Sequence, residues 1–407
     1  MICFISWGTT VIGGVQNLIL NISEELNTKN QKAKIFGFKY CLIYKELIKR
    51  DIEFDFIDLT QVNPNQLHSY LTEKDVIVFG SYSPRYRLFM FKESNPRILY
   101  WNVIANKLSL SNRYKFIDFK FRTRKLVNQL IKSKSVVFMD LYGLKSIKSE
   151  VGIDLFQNDT NLYLPIPVKS FNKKNIFLTR NLNFNEVINI TYVGRSSIWK
   201  MQPLKKIITD LLDIKNSNIN INIITQDVNE YKRFLSNIKI PENLSVIYHN
   251  NLIGSSYREF LIKNSDLHFA MGTSALDGGI LGIPTICVDY SNHAFRQDYK
   301  YLWLYDIQGF DLGHPIESKN SKKSNSMSEI IDLYKDSNSL ELKKISELTF
   351  NYVNNNHEIS QIVDKLLIYT RDSQSRVNTI LNYTISNFKI VSLISRIFGR
   401  DLMEVKK

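Results

Sequence analysis

Two short stretches hold the residue types from which an anion site can be built. In "TYVGRSSIWK" (191–200) an apolar run ends at Gly194, delivers Arg195, and is followed five residues later by Lys200. Two cations on one strand-to-helix loop can hold a diphosphate. The guanidinium offers a planar fork of donors and the ammonium a compact charge. The same pattern also fits a solvated basic loop. In "MGTSALDGGILGIPTICVD" (271–289) Gly272 permits a turn after a strand, and Thr273 or Ser274 can cap the helix that follows. Amides at such a helix start favour negative charge. Asp277 lies about one turn beyond Ser274. Its carboxylate can accept from a sugar diol, or it can close a capping box in place of Glu. Gly278 and Gly279 weaken this helix and point to close backbone packing or close ligand approach.

A third stretch, "WGTTVIGGV" (7–15), joins an apolar strand to a helix through Gly13 and Gly14. Adjacent glycines let backbone approach a ligand or simply make a tight turn. The dinucleotide signature Gly-x-Gly-x-x-Gly is absent, and no acid closes the next strand at "FGFKY". Other polar residues follow apolar runs: Trp101 and Asn102, Asp140, and Arg85 and Arg87 in "SYSPRYR". These are the candidates for holding an acceptor. Asp140 suits a base or a helix cap. Arg85 suits a phosphorylated lipid, a charged glycan or plain solvent. His249 is expected in a loop near a bound base. The other histidines show no ligand spacing and read as structural or solvated. Cys3, Cys41 and Cys287 are scattered, without metal-type spacing, and read as small core residues of a protein in a reducing compartment.

These residues need a frame, and the apolar periodicity describes one. Strand-like runs at 1–6, 33–38, 54–59, 75–80, 97–101 and 135–140 alternate with amphipathic stretches such as Val15, Leu18, Ile19, Ile22 and Leu26. Short buried runs separated by helices predict a parallel, doubly wound sheet. "LYLPIPV" (162–168) reads as a hinge. The grammar then repeats at 188–194, 221–225, 244–249, 266–271 and 284–289. The expected fold is α/β, with two Rossmann-like doubly wound parallel-sheet domains facing across a cleft. Their expected spans are 1–168 and 169–355, followed by a helical segment at 356–407.

A chain of 407 residues, 44% hydrophobic, suits two such cores. No stretch has the roughly 18 uncharged apolar residues of a membrane helix, and the first residues lack the basic lead of a signal peptide. The net charge of +14 favours an anionic partner or reflects a compositional habit. The amphipathic tail "NFKIVSLISRIFGRD" (387–401) can dock on the first domain or lie on an anionic membrane.

The second half resembles the donor domain of a GT-B glycosyltransferase. "YVGRSSIWK" is similar to the Gly-Arg…Lys phosphate motif of retaining family 4. Residues 244–289 resemble that superfamily's succession of strand, nucleobase loop, short helix, strand, ribose-binding acid and Gly-x-Pro. "GGVQNLILNISEEL" (13–26) resembles the opening of its acceptor domain. The resemblance implies that Arg195 and Lys200 bind the donor diphosphate and act in catalysis. Gly194, Gly272, Thr273 and Ser274 line it, Asp277 holds the ribose, and the backbone around His249–Ile253 reads the base. Gly13 and Gly14 approach from the other domain, and Arg85, Trp101, Asn102 and Asp140 are left for the acceptor. Two departures are visible. Asp277 stands where the family has Glu, and Phe269 occupies the place of its first Glu.

By the same resemblance the substrates are a nucleotide-diphosphate sugar and a glycan or lipid-linked glycan, in capsule or lipopolysaccharide assembly. No cofactor or metal is implied, and no Asp-x-Asp motif is present. The implied location is the cytoplasm, peripheral on the inner face of the membrane, with no nucleic acid partner. The competing readings are a GT-B-like sugar-nucleotide epimerase and a non-enzymatic basic protein binding RNA or anionic lipid.

Overall fold

The computed structural model describes residues 1–6, 14–62, 64–80, 88, 90–103, 120–152, 162–170, 187–250, 252, 254–316, 325–335 and 340–382. Arg85, Gly13, Ile253 and the tail at 387–401 lie outside them. The chain divides into two compact units, Met1–Ile166 together with the segment from Ser360 onward, and Pro167–Ile359.

The first unit runs β1 (Ile2–Ile5), α1 (Gly14–Thr28), β2 (Ala33–Gly37), α2 (Leu42–Lys49), β3 (Phe54–Asp58), β4 (Val76–Gly80), β5 (Arg97–Asn102), α3 (Lys120–Lys132), β6 (Val136–Phe138) and α4 (Leu141–Val151). The strands form one parallel sheet in the order β3-β2-β1-β4-β5-β6. Every residue of β1 and β4 is buried, which is why both read as unbroken apolar runs. α1 covers the sheet with Leu18, Ile19, Ile22 and Leu26, its i, i+3/i+4 stripe. At the amino-terminal edge of the sheet, buried Lys34 of β2 donates to Asp75 at 2.9 Å and to the Tyr70 carbonyl at 2.8 Å.

The second unit repeats the plan: β7 (Val187–Val193), α5 (Ile198–Leu211), β8 (Asn218–Thr225), α6 (Val228–Leu235), β9 (Leu244–Asn250), α7 (Ser255–Asn264), β10 (Leu267–Ala270), α8 (Thr273–Ile280), β11 (Thr285–Cys287), β12 (Leu302–Trp303), α9 (Met327–Lys335) and α10 (Leu340–His357). The sheet order β9-β8-β7-β10-β11-β12 repeats that of the first unit. The short edge strand β12 runs antiparallel to β11 and was not anticipated. Val168, from the expected hinge, is buried in this unit's core and pairs by backbone with the end of α10.

α11 (Ile359–Asp372) carries the chain back into the first unit. Lys29 of α1 meets Ser360 at 2.9 Å and Asp364 at 2.8 Å. The Tyr369 hydroxyl donates to the Tyr163 carbonyl at 3.2 Å. The Ser375 carbonyl then accepts the Ile98 amide of β5 at 2.9 Å. Among the described residues no helix is long and apolar enough to cross a membrane. All three cysteines are buried.

Candidate nucleotide site at the second sheet's switch point

In a doubly wound sheet the strand order reverses at one place, and the carboxyl ends of the two strands there open onto a crevice. In the second unit these strands are β7 and β10, paired Thr191 to His268 and Tyr192 to Phe269. Gly194–Lys200 leaves the end of β7, and Gly272–Asp277 leaves the end of β10. The sheet topology therefore brings the two stretches together although some seventy residues separate them.

The β7–α5 loop is fixed from beneath. A Cβ on Gly194 would lie 2.7 Å from the Tyr231 hydroxyl and 3.1 Å from the Tyr192 ring, so only glycine fits without displacement. The same two phenols hold the loop's carbonyls: Tyr231 donates to Arg195 at 3.2 Å, and Tyr192 donates to Lys200. Burial pushes both phenols up, keeping them protonated donors. Above this base Arg195 is exposed and Lys200 is half-buried, its ammonium 5.1 Å from the Trp199 ring. Burial, and then the charge of Arg195, push the Lys200 ammonium down to about 8. Neither cation has an acidic partner among the described residues. Two like charges set close together can receive an anion.

At the β10–α8 corner the arrangement differs from the sequence expectation. Gly272, with φ 62°, is the N-cap itself, and neither Thr273 nor Ser274 caps the helix. The Gly272 amide donates to the Leu312 carbonyl at 2.7 Å, which removes it from the set of anion donors. Thr273 and Ser274 open the helix, where amides lack intrahelical acceptors, and they remain the donors of this corner. The glycine pair is explained by packing. A Cβ on Gly278 would meet His268 at 2.3 Å, and one on Gly279 would meet Val353 at 2.5 Å.

Asp277 does not close a capping box. Its Oδ1 accepts from Nε and Nη2 of Arg258, on α7, at 3.0 and 2.7 Å. Burial raises the carboxyl's pKa, with Arg258 partly opposing it. Arg258 was missed in the sequence because nothing in a separation of 19 residues announces the packing of α7 beside α8. At the far side of the sheet His249 belongs to β9, not to a loop. Its Nε2 lies 2.9 Å from Asn222 Oδ1 and its ring 4.4 Å from Phe260, and burial lowers its pKa.

Three acceptor candidates are buried in the first unit. Trp101 is 1% exposed and donates its indole N–H to the Leu164 carbonyl at 2.8 Å, so it is core. Asp140 is the N-cap of α4, accepting the Gly143 amide at 2.6 Å, and it too is buried. Asn102 is fully buried at the end of β5, with no partner for its side-chain amide among the described residues. Gly14 opens α1 with nothing within 4 Å of where a Cβ would stand. A second missed group lies at the end of β11, where His314 pairs with Asp289 at 3.0 Å. Among the described residues no cluster of His, Cys, Asp and Glu is arranged to hold a metal ion.

Two successive Rossmann-like units of this strand order define the GT-B fold, and comparison with solved structures agrees. A glycosyltransferase from Rickettsia africae superposes with a TM-score of 0.60 at 16% identity, covering 91% of this chain and 98% of that one. Anabaena HepE, solved with UDP and glucose, gives 0.55 at 12% identity, covering 90% and 98%. The lipopolysaccharide outer core galactosyltransferase WaaB gives 0.52 at 13% identity, covering 92% and 99%. No protein-family profile matches the sequence, and no curated protein matches it.

Proposed function

We propose that the protein is a glycosyltransferase that moves a sugar from a nucleoside-diphosphate donor to a glycan or lipid-linked glycan during surface polysaccharide assembly. The observation that carries this reading is the Arg195–Lys200 pair, which has no acidic partner among the described residues, at the β7/β10 switch point beside the open start of α8. Structural neighbours include HepE, solved with UDP-glucose, and WaaB, a lipopolysaccharide galactosyltransferase, which supports a UDP-hexose donor and a glycan acceptor. The reaction is read as metal-independent and the protein as cytoplasmic, peripheral on the membrane's inner face.

In the mechanism the bond between the sugar and the distal phosphate breaks, and negative charge grows on the departing diphosphate. Arg195 and Lys200 meet that charge with side chains whose backbone is already fixed by Tyr231 and Tyr192. The Thr273 and Ser274 amides add donors that need no reorganisation. Such groups stabilise the transition state more than the ground state, by about 3 kcal/mol for one well-placed donor. Asp277, oriented by Arg258, holds the ribose through Oδ2, the oxygen Arg258 leaves unbonded.

A thermal-shift panel of UDP, GDP, CDP and ADP tests the reading. One of them, at about 100 times its Kd, raises stability by about 2.7 kcal/mol. No shift with any of the four overturns a donor site.

A further inference from the structure

The mechanism leaves unused a charged pair at the carboxyl end of β11. Asp289 lies just past the strand, and its Oδ1 accepts the His314 backbone amide at 3.2 Å and lies 3.0 Å from His314 Nδ1, within ion-pair distance. Its other oxygen accepts from the Tyr299 hydroxyl at 3.4 Å, while the Asp289 amide donates to that hydroxyl at 3.3 Å. Tyr299 is itself packed edge-on against Phe295 and Tyr301. The imidazole therefore sits against a carboxylate that is itself held, and the backbone that carries it is tied to the same carboxylate. The His314 side chain remains 37% accessible.

The pair adjoins the nucleotide site. β11 is the neighbour of β10, paired Ala270 to Cys287. The segment carrying His314 is stitched to the β10–α8 corner by the Gly272-to-Leu312 hydrogen bond of 2.7 Å. Gly313, at φ 98°, tucks against Val288 and Met271, where a Cβ would come within 2.5 and 3.2 Å. On the other side Tyr290 exchanges backbone hydrogen bonds with His314 and Ile316, and its ring meets Trp199 at 5.4 Å. Trp199 is the residue before Lys200.

We propose that His314, fixed by Asp289, is a third donor-side cation that binds the distal phosphate of the nucleoside diphosphate. The inference rests on the donor-site reading above. That reading puts the base at the end of β9, the ribose at Asp277 and the proximal phosphate at the start of α8. The ligand then runs across the sheet from β9 through β7 and β10, and its distal phosphate arrives beside β11. Charge agrees with position. Burial works against protonation of His314, but the adjacent Asp289 carboxylate, with Asp311 adding, raises it to about 9. At neutral pH it is an imidazolium, and hydrogen bonds from a charged donor to phosphate are the strong ones.

Calorimetric titration of the full chain with UDP and with UMP tests this, or with the matching pair for whichever diphosphate binds best. His314→Gln weakens UDP about tenfold and leaves UMP unchanged. His314→Arg, which restores a cation, recovers most of the preference for UDP. Equal loss for UDP and UMP, or an unchanged UDP-to-UMP ratio, overturns the proposal while leaving the donor site standing. Failure of the unaltered protein to bind any nucleoside diphosphate overturns the donor reading and this inference with it.

Discussion

Arg258 places both Nε and Nη2 on a single oxygen of Asp277, Oδ1, at 3.0 and 2.7 Å. A guanidinium more often spreads its fork over both oxygens of a carboxylate. The asymmetric grip fixes the carboxylate and leaves Oδ2 for another donor. It also makes the pair partly structural, since both side chains are mostly buried. Arg258→Ala therefore has two effects. Stability falls by roughly 1–3 kcal/mol, between the values for exposed and buried pairs. Nucleoside diphosphate binding weakens as well, because the carboxylate loses its orientation. Arg258→Lys restores charge without the fork and recovers stability better than affinity. Denaturant unfolding and calorimetry on the same two variants separate these effects.

Arg195 and Lys200 are predicted to act on turnover with little effect on folding. Arg195 is exposed, and the loop that carries both is held through its carbonyls, which any residue supplies. Arg195→Ala and Lys200→Ala are expected to lower transfer about 100-fold or more, with melting temperatures close to that of the unaltered protein. By contrast, Gly194→Ala drives a methyl group against Tyr231 and is expected to disturb the loop itself. Normal transfer in both cation variants would remove the pair from the mechanism.

The depressed Lys200 ammonium gives a pH dependence of definite sign. The phosphates of a nucleoside diphosphate are ionised above about pH 7. Lys200 loses its proton near pH 8, so the site's positive charge falls as pH rises through that value. Affinity for the diphosphate therefore declines as pH rises from neutral through that range, and binding there takes up protons from the buffer. Titrations in buffers of different ionisation enthalpy measure that uptake directly. His314, titrating at about 9, adds a later decline. Lys200→Met is expected to abolish the earlier step and His314→Gln the later one.

The double repeat of buried strands and amphipathic helices was legible because a parallel sheet covered on both faces writes unbroken apolar runs into the sequence. β1, β4 and β10 are of this kind, and both sheets have the anticipated parallel, doubly wound form. β12 was invisible because two residues on an antiparallel edge make no pattern. Polar residues after strands were harder to read. Asp140 and Asn102 look in sequence like Asp289, yet Asp140 caps a helix and Asn102 is sealed in the core, while Asp289 holds an accessible histidine. Which role each takes depends on the chain that crosses above the strand end, and local spacing does not encode that. Arg258 and His314 share this origin: their partners lie 19 and 25 residues away across packed elements. The Gly278–Gly279 pair left packing and ligand approach open, and the side chains of His268 and Val353 decide for packing.

The buried pair Lys34–Asp75 allows a test confined to the first unit. Asp75 is 2% exposed and accepts from Lys34 at 2.9 Å and from the Thr72 amide at 2.8 Å. Burial alone would raise its pKa, but the Lys34 and Thr72 hydrogen bonds outweigh it and the net shift is downward. A carboxyl whose folded pKa is depressed contributes stability above its unfolded pKa, and that contribution is lost as pH falls through the folded value. Removing the carboxylate strands a buried ammonium. Asp75→Ala is therefore expected to cost about 3–5 kcal/mol at neutral pH. Adding Lys34→Met to it, which replaces the charge with an apolar chain of similar length, is expected to recover much of that loss. Urea unfolding of the two single variants and the double variant measures the coupling. Additive losses would show that the two charges do not depend on each other. Nucleoside diphosphate affinity, read in the same folded samples, is expected to stay unchanged, because the side chains proposed to meet the phosphates and the ribose all belong to the second unit.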